Sequence, residues 1–486
     1  MNDADRQFEL TRLPTQIPGL DEVLNGGLFV GGTYLLTGPS GVGKTVLATQ
    51  ISFALASEQE DVLFVTLLTE SHARMLGYMQ GFEFFDPAVV GTRLYYVSGY
   101  EALQEEGLDG LVAFLFRLLR ERRPRLFVLD GLMNVSALAP SVGHFRRFIH
   151  DLAALVESTN ATALLIDHRD KDHDHSQFAM VDGVIELLNS EVGQRANREL
   201  LLRKLRGSGF LAGRHVFEIS LGGIRVHPRA ELLPTSPLAD PVGRAEQQRT
   251  GIEQLDVMLG GGLTARSVTL LLGPSGSGKT TAGLRFLQAG AEQGQRSLMF
   301  GFYEQPPYLL RKAAAVGLDI ASAIDEGSIV LHWSPPLELL LDAIVRHMVD
   351  EVDRTGARRL FLDGLNALEQ GALYPARLPQ VFSALAYAMR SRGVSMLVSA
   401  EIRELLGLPE AVPLPGLSPS VDNLIVLRHE EVEERRVRLV SVVKTREHES
   451  ASEMREYTIG SGGLQVAASS DSAREALRAP RTSGRR

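Results

Sequence analysis

Short apolar, β-rich runs alternate with longer amphipathic stretches along most of the chain. In the first half, "TYLLTG" (33–38) is apolar enough for a strand buried on both faces. Behind it, Lys44–Gln59 carries the spacing of a helix. "DVLFVTLL" (61–68) reads as a strand, "DGLVAFLFRLLRER" (109–122) as an amphipathic helix and "RLFVLD" (125–130) as a strand. "FRRFIHDLAALVEST" (145–159) predicts a helix and "ATALLID" (161–167) a strand. Such alternation predicts a mostly parallel sheet with helices on both faces. Each half closes on two strands around a charged turn, a hairpin: "DGVIELLNSEVGQRANRELLLRKLRG" (182–207) and "DNLIVLRHEEVEERRVRLVSVVKTR" (422–446).

The halves repeat one another. "TQIPGLDEVLNGGL" (15–28) matches "TGIEQLDVMLGGGL" (250–263), and Asp21 and Asp256 are 235 residues apart, as are Lys44 and Lys279. "RLFVLDGL" (125–132) is answered by "RLFLDGLN" (359–366), and "KLR" (204–206) by "KTR" (444–446). Four landmarks in the same order make each half a domain, with boundaries at 1–234 and 249–466. Residues 235–248 lie in a Pro-rich polar stretch without period and read as a linker. Residues 467–486 lose the apolar pattern, carry five arginines and read as a mobile, disordered tail.

Eight residues of each half fit G-x-x-x-x-G-K-T: Gly38-Pro39-Ser40-Gly41-Val42-Gly43-Lys44-Thr45 and Gly273-Pro274-Ser275-Gly276-Ser277-Gly278-Lys279-Thr280. A loop between strand and helix turns its backbone N–H groups inward around a phosphate. Its glycines permit the required φ angles, and the helix N-terminus adds positive potential. Lys44 and Lys279 reach the β- and γ-phosphates of ATP, and Thr45 and Thr280 offer hydroxyls to Mg²⁺. Asp130 and Asp363 end the next strongly apolar strands, where a carboxylate holds the water shell of Mg²⁺.

On these motifs and the two-copy layout, the chain resembles the KaiC family of double-domain, RecA-like ATPases over about residues 14–466. The resemblance implies two tandem P-loop NTPase domains, a homohexameric ring and ATP at subunit interfaces. It also implies a circadian signalling role with a protein partner, and serine/threonine self-phosphorylation in the second half. Lys204, Arg206, Lys444 and Arg446 match positions that reach a neighbour's phosphates. The clock members carry a Glu-Glu pair after the loop helix. Here the second half has Tyr303-Glu304, and the first has Leu68-Thr69 with Glu70 one place later. Glu304 and Glu70 are therefore the candidate catalytic bases. The family's adjacent Ser-Thr acceptors are replaced by Ser418-Pro419, which leaves Ser418 and Ser420 as candidate phosphosites.

Composition narrows the choice. The 486 residues are 44% hydrophobic and 22% charged, and no apolar run has the length of a membrane helix. The acidic start, "MNDADRQFEL", is no secretory signal, so a cytoplasmic location is expected. With no cysteine, thiol catalysis and cysteine-ligated metals are excluded. A net charge of −9 counts against a dedicated nucleic-acid binder. "DHRDKDHDH" (167–175) crowds three histidines and four aspartates without ligand spacing, and reads as a solvated loop rather than a metal site. Trp333, the single tryptophan, reads as a packing residue. The expected function is an ATP-hydrolysing, nucleotide-dependent signalling ring. A RecA-like DNA recombination or helicase motor, a scaffold with little turnover and a protein kinase stay open as alternatives.

Overall fold

A computed structural model describes residues 11–69, 72–168, 179–233, 246–337, 339–402, 416–432, 435–446 and 453–478. The chain divides into two compact units, 1–229 and 230–486.

In the first unit the ordered elements that build the site are β1 (Thr33–Gly38), α1 (Lys44–Ser57), β2 (Val62–Thr66), β3 (Leu94–Ser98), α2 (Tyr100–Arg122), β4 (Leu126–Asp130), α3 (Val142–Thr159), β5 (Thr162–His168), β6 (Gly183–Val192), β7 (Arg195–Leu205), β8 (Arg214–Ser220) and β9 (Gly223–His227). They form one sheet in the order β3-β2-β4-β5-β1-β6-β7-β8-β9. The first six strands of that order pair in parallel, and β6 to β9 pair antiparallel.

The second unit repeats this with β10 (Val268–Gly273), α4 (Lys279–Glu292), β11 (Ser297–Gly301), β12 (Ile329–Trp333), α5 (Leu341–Thr355), β13 (Arg359–Asp363), α6 (Leu378–Ser391), β14 (Ser395–Glu401), β15 (Asn423–Val432), β16 (Arg435–Lys444), β17 (Arg455–Gly460), β18 (Gly463–Val466) and a helix α7 (Asp471–Arg478). The order is β12-β11-β13-β14-β10-β15-β16-β17-β18. Each fold is the expected mostly parallel sheet between helices, with its hairpin.

The central strands β1 and β10 are buried along their whole length, because helices cover both faces. A polar device recurs at each entrance: the Thr15 amide and hydroxyl donate to Asp21 at 2.7 and 2.8 Å, and those of Thr250 donate to Asp256, both at 2.7 Å. These bonds are why the repeat keeps a threonine and an aspartate six residues apart.

The structure differs from the sequence reading in five places. Helix α2 begins at Tyr100, nine residues before the expected start, and breaks at Gly107, whose φ of 71° is left-handed and whose ψ of −158° is non-helical. The hairpins continue into a further antiparallel pair, β8–β9 and β17–β18. Residues 230–233, read from the sequence as the end of the first domain, lie in the second compact unit. Ala230 and Leu233 are buried in the second unit's core, the Ala230 N–H donates to the Asp342 carboxylate at 2.9 Å, and Arg377 pairs with Glu231 and Asp342. The expected disordered tail from 467 opens on helix α7, where Ala473 is buried and the Ser469 hydroxyl accepts from the Asp471 N–H. Of the linker expected at 235–248, residues 235–245 lie outside the described residues, and Gln247–Gln248 form a short strand.

Candidate functional site

Both loops leave the carboxyl ends of the central strands, where parallel sheets place ligands. Gly38 has a φ of 149°, and a Cβ there would stand 2.2 Å from the Leu187 carbonyl oxygen on β6. Gly278, at φ 93°, immediately precedes α4, and a Cβ would meet the Ile459 side chain at 2.7 Å. Only glycine lets the backbone approach the hairpin this closely. Neither α1 nor α4 has a side-chain cap, so the first N–H groups stay directed into the loop.

The lysines are held alike. Lys44 Nζ donates to the Gly38 and Pro39 carbonyls at 2.7 and 2.8 Å, and Lys279 Nζ to the Gly273 and Pro274 carbonyls, both at 2.8 Å. Burial pulls both ammonium groups below the usual lysine range, opposed by Asp130 and Asp167 in the first site and by Glu401 and Asp363 in the second. The Thr45 hydroxyl donates to Asp130 at 3.1 Å and the Thr280 hydroxyl to Asp363 at 2.9 Å. A threonine hydroxyl that donates to a carboxylate keeps its lone pairs for a cation, so both pairs fit a hydrated Mg²⁺.

The second loop opens on a cavity of about 540 Å³ whose lining includes Lys279, Thr280, Asp363 and Glu304. The sequence reading did not anticipate its other polar groups. Ser399 donates to Asp363 at 2.6 Å, and the Asp363 carboxyl is pushed up chiefly by burial. Glu401 ends β14 opposite Gly273, with its backbone clasped by Asn366. Lys312 Nζ bridges to Glu304 at 2.6 Å, with both side chains well exposed. The signal for Ser399 and Glu401 was the "VSAE" end of an apolar run. Its relevance appears only once β14 is known to lie between β10 and β13.

The first site differs at these positions. Register sets Ile166 beside Asp130, where Ser399 stands beside Asp363, and His168 beside Gly38, where Glu401 stands beside Gly273. Thr69 is exposed, and Glu70 lies outside the described residues, as do 169–178 of the His- and Asp-rich segment. Among the described residues no group of three or more His, Asp or Glu could hold a metal ion unaided.

The basic residues after the hairpins grip their own chain. Lys204 Nζ donates to the Val181 carbonyl at 2.6 Å, and Arg206 to the Ala179 carbonyl at 2.9 Å. Lys444 donates to the Ser418 and Val421 carbonyls at 2.8 and 2.7 Å, and Arg446 donates to the Pro419 carbonyl. Each grip clamps the turn entering the hairpin. The arginines are about half exposed and also pair with Asp182 and Asp422. In the second turn Ser418 is exposed, whereas Ser420 is buried and shares a 2.7 Å hydrogen bond with Ser383.

A family model described as "ATPase: KaiC" matches residues 13–231 and 248–471. The chain is similar to the circadian clock oscillator protein KaiC of a Picosynechococcus strain, 27% identical over 94% of this chain and 89% of that one. It is similar to KaiC of Parathermosynechococcus lividus, 25% identical over 94% and 86%. It is also similar to KaiC 1 of a Synechocystis strain, 26% identical over 94% and 89%.

Proposed function

The chain belongs to the KaiC family of ATPases, and from that premise we propose that it is a nucleotide-dependent regulatory ATPase. It binds ATP with Mg²⁺ at both phosphate loops and hydrolyses it mainly in the second domain. One observation carries this reading: Glu304 lines the cavity shared by Lys279, Thr280 and Asp363, while the same count of 25 residues from Lys44 ends on Thr69. Threonine cannot accept the proton of an attacking water.

In the second site the loop amides and Lys279 take the phosphates, and Thr280 with Asp363 holds Mg²⁺, which supplies charge neutralisation when bound. Glu304 orients the water. As the water oxygen bonds to the γ-phosphorus and the bond to the β–γ bridging oxygen breaks, Glu304 accepts the proton. The Lys312 bridge must first open, and exposed pairs of this kind are worth only about 0–1 kcal/mol. The test is turnover and nucleotide binding measured separately in Glu304→Gln. Lost turnover with retained binding supports the reading, and undiminished turnover sinks it.

The working form is a homohexamer in the cytoplasm that signals to a protein partner. Lys204, Arg206, Lys444 and Arg446 exchange part of their grip on their own turns for a neighbour's phosphates. Self-phosphorylation is the second reading, favoured by the exposure of Ser418 in the clamped turn.

A further inference from the structure

A second cavity, of about 370 Å³, opens at the ends of β11 and β12 against α5, and its lining includes Phe300, Phe302, His332, Trp333, Ala343 and His347. Phe300 and His332 stack with centroids 4.7 Å apart, and His347 stands edge-on to both. The polar side chains beside the cavity form a hydrogen-bonded chain. Arg354 keeps Glu351 ionised, holding its carboxyl down at about 2. His332 Nε2 therefore donates to Glu351 at 2.9 Å, leaving Nδ1 to accept from His347 Nε2 at 3.3 Å. In the neutral form of His347 the remaining nitrogen, Nδ1, is then an acceptor. Burial, and next the neighbouring His347, pull the His332 pKa down, which favours the neutral form of His332. Trp333 keeps its Nε1–H buried without an acceptor among the described residues.

The first domain has no such chemistry at the matching register. Val65 and Val97 take the places of Phe300 and His332, within an apolar cluster containing Leu103 and Leu111. A core that needed only filling would use the same aliphatic solution twice. The second domain instead presents ring faces and a pair of imidazoles around open space.

We propose that this cavity is a binding site for a small, neutral, planar heteroaromatic molecule of one or two fused rings. The volume lies at the lower end of ligand pockets, which hold apolar walls and a few polar groups. Aromatic rings favour planar guests by offset or edge-on packing. The carboxylate nearest the cavity, Glu351, is already paired with Arg354 at 2.6 Å.

Trp333 is the chain's single tryptophan, so its fluorescence in the full-length protein reports on this cavity. The probe is benzimidazole, titrated at mildly alkaline pH, where it is neutral and carries one donor and one acceptor. The expected result is a saturable fluorescence change whose affinity falls at least tenfold in Ala343→Leu, which fills the cavity. Benzoate and benzamidine, charged analogues, should bind at least tenfold more weakly than benzimidazole. Circular dichroism verifies the fold of Ala343→Leu, and Ser334→Leu replaces it if that variant does not fold. A linear, unsaturable change, an affinity untouched by the blocking variants, or equal binding of the charged analogues overturns the proposal. ATP turnover does not enter the readout, so this site stands or falls apart from the proposed ATPase.

Discussion

In the second domain Asp363 is held by two hydroxyls, from Thr280 and Ser399, and shares its cavity with Glu304. In the first, Asp130 accepts from Thr45, but the residue beside it on the next strand is Ile166. The loops themselves agree closely: the same glycines and the same lysine bonds to two loop carbonyls. The loop residues have been kept in both halves, while the strand ends around them have diverged. Nucleotide binding depends on backbone geometry that few sequences satisfy. Hydrolysis depends on one correctly placed base, which a single substitution removes. Two sites can therefore share binding and differ in chemistry.

The largest expected effect tests that difference directly. Glu304→Gln should lower steady-state turnover by about 10²–10⁴-fold, the usual cost of losing a general base, with nucleotide binding unchanged. Glu70→Gln should change turnover little. If Glu70→Gln causes the larger loss, the first domain is the active one and the comparison is inverted.

Assembly comes next. If ATP bridges subunits through the hairpin cations, nucleotide removal should shift hexamers to smaller species by mass action, as native mass measurement would read. The double change Arg206→Ala and Arg446→Ala should do the same with ATP present. A chain that stays hexameric in both cases rejects the bridging role.

A smaller effect sharpens the contrast between Asp363 and Asp130. Burial raises the Asp363 pKa, so folding disfavours its charged form. A carboxyl raised in this way destabilises the fold above its unfolded pKa, and the penalty fades as pH falls through the folded value. Asp363→Asn should thus raise the melting temperature of the nucleotide-free protein by a few degrees near neutral pH while abolishing turnover. The gain should shrink on acidification. A lower melting temperature at neutral pH would show that the hydroxyl partners outweigh burial.

The smallest effect concerns the clamped turn. Phosphate transferred during incubation with ATP should appear on Ser418 and not on Ser420, whose hydroxyl is bonded to Ser383. Mass spectrometry that finds Ser420 modified, or neither serine, rejects this reading.

Much of the fold was legible because it is written locally. The two G-x-x-x-x-G-K-T loops, the apolar strands before them and the Thr15/Asp21 and Thr250/Asp256 spacings are contiguous patterns, and contiguous residues dictate a turn, a strand or a cap. The helix at 100–106 was missed because Gly107 interrupts it, and the place of Ala230 in the second unit because its partner Asp342 lies more than a hundred residues later. The order of strands is likewise not local. It sets Ser399 and Glu401 beside the second loop and Ile166 and His168 beside the first, and it brings His332 on β12 against His347 on α5. By itself the sequence determined the repeat, the two glycine-rich loops and the aspartates that end the strands near them, since short-range backbone chemistry specifies them. Only the tertiary structure decided which side chains surround them, because sheet pairing joins residues whose separation along the chain carries no periodic signal.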